Sequence, residues 1–345
     1  MQLAKLVKNF VVAVAALGAS AAYGADEVVL KFHHFLPPSS NAHQNLITPW
    51  CEKIAKESNG KMKCQIYPSM QLGGTPPQLF DQARDGVADI VWTLPTYQAG
   101  RFTKSEVFEL PFMVKTGEKG SPALWDYVQK HSLDEFKGTK VILLHLHDGA
   151  VLHFASKPVK TLEDLKGLKI RAPTRIASQL LTAWGAVPVQ MPAPQVPEAI
   201  SKGVVDGVMF PWEVVTPFKI QEVVKYHVDT PAGVPKMSNS IFVVAMNQAK
   251  YDSLPPDLKK VIDNNSGLEA SRWAGKVFDG PQVSAKKIAQ DRGNQFIALE
   301  GKEYQRWEKA GESVDAEWIK EVGGKGGNGK ALLDDARALI KKYDK

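Results

Sequence analysis

Two groups of residues have the types and spacing to do chemistry. The first is histidine-rich. His145-Leu146-His147-Asp148 closes an expected strand over residues 141–146. Alternate strand residues share a face, so His145 and His147 are spaced to hold a metal, with His153 as the nearest further ligand. That constellation would suit a metal-dependent hydrolase only with more ligands at neighbouring strand ends. The favoured reading is of histidines satisfied in a core or lining a cleft. Other catalytic patterns fail. Residues 324–330 have the spacing of a phosphate loop, but Ala331 stands where a magnesium-binding hydroxyl belongs, and a helix precedes the loop instead of a strand. G-x-S-x-G and H-E-x-x-H do not occur.

The second group sits at the carboxyl ends of expected strands, where open α/β sheets bind ligands. It comprises His33, His34 and Phe35, then Trp92 with Tyr97, then His147, Arg171, and Phe210 with Trp212. Any single aromatic here can equally be core. Arg171 is different, because arginine is rarely buried without a partner. It ends a strand over 167–171 and precedes Ala172-Pro173-Thr174, the start of a helix. Its fork either clamps a carboxylate beside that helix N-terminus or forms a structural salt bridge. Arg175, one turn on, offers a second charge, and Asn239 completes the candidate ligand-binding set.

These residues need a scaffold. The chain has 345 residues, 44% hydrophobic and 23% charged, which excludes a disordered protein and exceeds one typical core. Strand and helix signals alternate: strands at 28–32, 88–93, 141–146, 167–171, 187–189, 207–210 and 241–246, helices at 77–85, 175–184 and 197–202. An Asn41/Gln44 capping box opens a further helix that buries Leu46, Ile47, Trp50 and Ile54. The order implies the α/β class with largely parallel sheets. The helix-Gly-turn-Asp-strand stretch at 83–91 recurs at 200–208, so each of two lobes holds the same unit. Residues 256–292 read as one long helix that Pro281 bends or splits, followed by helices at 302–322 and 331–343.

Residues 1–24 have the form of a secretory signal, with Lys5 and Lys8 ahead of an apolar run and Ala22-Tyr23-Gly24 before the cleavage point. No lipid-attachment cysteine follows, so a soluble exported protein in the periplasm is expected. The basic excess of six is spread along the chain and is no nucleic-acid footprint. The two cysteines, Cys51 and Cys64, exclude a four-thiolate metal site. Asn59-Gly60 turns the chain between them. Eight helical residues back to Cys51 span about 12 Å, and four strand residues forward to Cys64 about 13 Å, which sets the sulfurs level. A disulfide follows, with two buried free thiols as the alternative.

Several segments, in order, resemble the extracytoplasmic solute-binding proteins of tripartite ATP-independent periplasmic (TRAP) transporters, dicarboxylate-binding type. They are Gln71-Leu72-Gly73-Gly74, the turn 86–90, Leu110-Pro111-Phe112, residues 162–173, residues 184–189 and residues 203–207. The resemblance implies two lobes that close over an organic anion, hinged by crossing strands and a long helix. Lobe I would take 25–149 and about 237–255, lobe II 150–236, with 256–292 spanning both and 293–345 packing on them. It implies that Arg171 pairs with the ligand carboxylate, that a membrane permease is the partner, and that the protein is no enzyme; a monomer without a cofactor is expected. Sensing for a receptor is the alternative to transport. Two positions depart from the family. Phe210 replaces an asparagine that contacts the carboxylate, and Leu152 stands about where a second arginine is common. One arginine among aromatics predicts an aromatic or apolar monocarboxylate, because a C4-dicarboxylate or sugar acid would leave buried polar groups unpaired. Glu213 is either a solvated loop carboxylate or a cation ligand, as in some 2-oxo-acid-binding relatives.

Overall fold

The computed structural model describes residues 27–344, and the expected secretory signal lies outside them. Among these residues eleven strands form two sheets. In chain order they are β1 Val28–His34, β2 Met62–Tyr67, β3 Ile90–Thr93, β4 Thr139–His145, β5 Val151–Phe154, β6 Lys169–Ala172, β7 Val187–Gln190, β8 Gly207–Phe210, β9 Tyr226–Asp229, β10 Phe242–Asn247 and β11 Gln295–Ala298. The first sheet is ordered β2-β1-β3-β10-β4 and the second β11-β9-β5-β8-β6-β7. Two bends in the expected pattern appear here. β5 and β9 carry no alternation in sequence, because β5 and most of β9 are buried on both faces. The sheets are also mixed: β10 runs antiparallel to β3 and β4, and β5 runs antiparallel to β8 and β9.

The antiparallel strands follow from the chain path. β5 begins just after β4 leaves the first sheet, and β10 begins after β9 leaves the second. The two crossing segments are bonded to each other. Asn239 Oδ1 accepts from the His147 backbone N–H at 3.2 Å, Asn239 Nδ2 donates to His147 O at 3.0 Å, and Ala150 N–H donates to Ser238 O at 2.9 Å. Gly149 supplies the turn. Its φ is +94°, and a Cβ there would overlap Lys236 Cβ at 2.3 Å.

Residues 256–292 are three helices, Pro256–Asn264, Leu268–Asp279 and Gln282–Asp291. The expected split at Pro281 occurs, and a second break falls at Gly267, whose φ is +91°. The helix Leu268–Asp279 packs against Gly117–His131 on the first sheet, while Gln282–Asp291 packs beside Trp212–Val215 of the second. The Gly275–Gly117 approach is so close that a Cβ on Gly275 would meet Gly117 O at 2.2 Å. The longest helix is Gly301–Gly324, which joins the halves. The indole N–H of Trp184 donates to Trp307 O at 3.0 Å, and that of Trp318 to Thr103 O at 2.8 Å. Residues 42–47 form a π-helical turn leading into Thr48–Glu57, and Asn41 makes no capping bond. Its amide donates instead to Val277 O at 3.1 Å. Cys51 and Cys64 are disulfide-bonded, with Cα atoms 5.6 Å apart, joining the helix Thr48–Glu57 to edge strand β2. Among the described residues, no helix is long and apolar enough to cross a membrane.

Candidate ligand-binding site

A narrow cavity lies between the carboxyl ends of the two sheets. The first sheet contributes Phe35 beyond β1, Trp92 on β3, Tyr97 beyond β3, His147 beyond β4 and Phe242 on β10. The second contributes Arg171 on β6, Met209 and Phe210 on β8, and Glu213 just beyond it. Tyr97 ties the two sides together by accepting a hydrogen bond from Ala193 N–H at 3.1 Å.

The walls are largely aromatic. Trp92 is sandwiched between Phe35 at 5.1 Å and Phe242 at 4.9 Å, ring centre to ring centre. Its indole N–H donates to His145 Nε2 at 2.9 Å, so the stack is fixed by a buried hydrogen bond as well as by packing. Such a wall contributes apolar area and flat π-faces at little entropic cost on binding.

Arg171 is the polar centre. It is buried, with its guanidinium carbon 5.0 Å from the centre of the Phe210 ring. Nε donates to Met191 O at 3.0 Å and Nη1 to Met209 O at 2.9 Å, which fixes the fork. Among the described residues no carboxylate lies within ion-pair distance of it. Burial pulls its pKa down to about 10, and neighbouring Tyr97 opposes that. A buried cation without a counter-ion is costly, so the free site favours an incoming anion. His147 adds a donor. Its Nδ1 accepts from Gly149 N–H at 2.8 Å, which places the ring proton on Nε2 when the imidazole is neutral. Burial lowers its pKa to about 3, so it is neutral at ordinary pH.

The chain matches the profile of bacterial extracellular solute-binding protein family 7 (DctP) over residues 32–321. It belongs to that family. A TRAP solute-binding protein from Rhodoferax ferrireducens T118, crystallised with copurified benzoate, is 46% identical, with 92% of this chain and 98% of that one covered and a TM-score of 0.90. A marine metagenome TRAP solute-binding protein specific for aromatic acid ligands, from an unidentified microbe and with co-crystallised 3-hydroxybenzoate, is 45% identical, with 93% and 100% covered and a TM-score of 0.91. The C4-dicarboxylate-binding periplasmic protein DctP of Rhodobacter capsulatus is 24% identical over 312 residues, covering 87% of this chain and 89% of its own.

This TRAP solute-binding protein does not gather every expected residue at the cavity. Phe35, Trp92, Tyr97, His147, Arg171 and Phe210 line it. Arg175 does not supply a second charge there. It bonds Glu106, which is fully buried, and its Nη1 reaches Glu321 at 2.6 Å, tying the helix Arg175–Ala183 to both neighbouring elements. His33 and His34 are consumed inside the first half. His33 Nδ1 lies 2.7 Å from Gln82 Oε1, and His34 Nε2 lies 2.9 Å from His43 Nδ1. Trp212 turns away into the second half, donating to Asp229 Oδ2 at 3.0 Å and stacking on Phe296. Asn239 acts one step back, holding the His147 backbone. The metal-spaced histidines part company as well. His145 is on β4, whereas His153 is on β5, with Nδ1 2.6 Å from His227 Nδ1.

Some residues at or beside the site were missed or only partly read in sequence. Phe242 begins a strand whose apolar run reads as pure core. Glu213 is buried, not solvated, and its Oε2 has no hydrogen-bond partner. Asp148 beside it is buried too, with Oδ1 unpartnered. Burial pushes both carboxyls well above the usual range, and Asp148 raises Glu213 further. Glu109, close behind Tyr97, accepts from Thr96 Oγ1 at 2.7 Å and from Ile241 N–H at 3.2 Å, and burial lifts its pKa to about 7.

Proposed function

We propose that this protein is the periplasmic, non-enzymatic receptor of a TRAP transporter, and that it captures a single-ring aromatic monocarboxylate for delivery to the membrane permease. The observation that carries the reading is Arg171, a buried guanidinium without a carboxylate partner, facing a small cavity walled by Trp92, Phe35, Phe210 and Phe242. The ligand carboxylate neutralises Arg171 and the ring is desolvated between the aromatic faces. His147 Nε2–H is free to donate to the same anion. The two solute-binding proteins at 45–46% identity carry benzoate and 3-hydroxybenzoate, which supports the same ligand class.

A C4-dicarboxylate or sugar acid fits less well. Among the described residues only one guanidinium lines the cavity. A second carboxylate would sit against Phe210 or Trp92, or beside the buried Glu213 and Asp148, and among the described residues no second cation lines the cavity to pair with it. A thermal-shift panel tests the reading. Benzoate, 3-hydroxybenzoate and mandelate should raise Tm well above succinate and gluconate. A panel in which succinate gives the largest shift overturns it.

A further inference from the structure

The cavity has a second polar end that the carboxylate does not use. Glu213 is only 3% exposed, lines the cavity, and leaves Oε2 without any hydrogen-bond partner. An unsatisfied buried carboxyl is costly to keep, and neither a lysine nor an arginine pairs with it among the described residues. Asp148, equally buried, leaves Oδ1 unpartnered close by, so the two acids reinforce each other's need for a donor. The lysines whose charge reaches Asp148 are spent on another acid: Lys236 and Lys286 lie 3.4 and 2.7 Å from the carboxylate oxygens of Asp229. Lys219 and Lys276 line the outer cleft beside Glu213, and neither lies within ion-pair distance of it.

Position separates the two ends. Glu213 also lines an outer cleft between Asn41, Gln44, Val277 and Pro281, whereas Arg171 does not. Both residues line the same cavity, so a ring held by its carboxylate at Arg171 would share that space with Glu213, whose side would take the ring's far edge. We propose that Glu213 is the specificity-determining residue for that edge, taking the hydroxyl of a ring-hydroxylated aromatic acid, so that the site selects phenolic over unsubstituted acids. The proposal rests on the aromatic-monocarboxylate reading above. A hydroxyl both donates and accepts, so it satisfies Glu213 in either protonation state, whereas a bare C–H edge leaves Oε2 orphaned. A group built to hydrogen-bond a hydroxyl discriminates strongly against the analogue without one. Among the described residues no set of three or more acidic, histidine or cysteine side chains is placed to hold a metal.

The test is calorimetry at pH 7 on the whole chain with benzoate, 3-hydroxybenzoate and 4-hydroxybenzoate. The unaltered protein should bind the better hydroxybenzoate about tenfold or more tighter than benzoate. Glu213→Met, close in volume and without a polar acceptor, should bring that ratio to about one. Glu213→Gln, which keeps an acceptor and a donor, should retain most of it. An unchanged ratio in Glu213→Met overturns the proposal, as does the absence of any hydroxyl preference in the unaltered protein. In both cases binding of benzoate keeps the underlying reading intact. Failure to bind any of the three acids overturns that reading and this proposal together.

Discussion

Replacing Arg171 with methionine separates what the guanidinium does for the fold from what it does for the ligand. In the free protein the change removes donors from the carbonyls of Met191 and Met209. Each buried carbonyl left unpaired costs about 1–3 kcal/mol. Against that, a buried cation with no carboxylate partner disappears, and the desolvation penalty it carried is several kcal/mol. The terms oppose each other, so the Tm of the free protein should move by only a few degrees. Binding has no such offset. The ligand carboxylate would enter a buried aromatic cavity without its cation, and breaking such a pair from one side costs about 3–5 kcal/mol. At about 1.4 kcal/mol per tenfold, affinity should fall by two to nearly four orders of magnitude. Arg171→Lys keeps a charge but loses the planar fork and the Nε bond to Met191, so its loss should lie between the two proteins. The assay is isothermal titration calorimetry with benzoate and 3-hydroxybenzoate, alongside thermal melts without ligand. An Arg171→Met affinity within threefold of the original would refute the reasoning.

Glu109→Gln tests a buried acid through pH. The folded pKa, about 7, lies above the ordinary glutamate value of 4.5, so folding favours the neutral form. The stability it contributes is full below pH 4.5 and is lost as pH rises through 7. The amide keeps the acceptor for Thr96 and Ile241 but cannot ionise, so the variant should match the original at pH 4 and exceed it at pH 8 by about 3 kcal/mol, read from chemical denaturation. An equal gap at both pH values contradicts the assignment. Gly275→Ala should cost about 1–3 kcal/mol, because the helix Leu268–Asp279 must back away from Gly117 O, and an unchanged Tm would show that the close approach is not rigid. Replacing Cys51 and Cys64 together by serine should cost about 3 kcal/mol from the 13-residue separation, with ligand affinity unchanged, since the clip joins β2 at the sheet edge to the helix Thr48–Glu57. A matching loss of affinity would place the clip in the binding mechanism instead.

How far the fold could be read depended on whether a local signal existed. The strand–helix units from β6 to β8 have turn residues, caps and apolar periods that agree, and their limits shift by only a residue or two. β5 had no such signal, because a strand buried on both faces shows no alternation. The expected long helix over 256–292 shows the opposite failure. Asn264-Asn265-Ser266-Gly267 is a helix-stop signal set between two amphipathic stretches, and the helix breaks there. At the site, residue type and strand-end position singled out Arg171 but left a structural salt bridge open, and the structure buries it with no carboxylate partner among the described residues. The choice between Trp212 and Glu213 was not legible. They are adjacent in a four-residue helix after Pro211, and its orientation is set by tertiary contacts such as the Trp212–Asp229 hydrogen bond. Arg175 misled for a related reason, since its partners Glu106 and Glu321 lie far away in sequence.

The central claim is that one buried arginine among aromatic faces selects an aromatic monocarboxylate. A direct calorimetric competition between benzoate-class acids and succinate tests it. Saturable one-to-one binding of an aromatic acid, undisturbed by a large excess of succinate, is the result expected. Tighter binding of succinate than of any aromatic acid would contradict it.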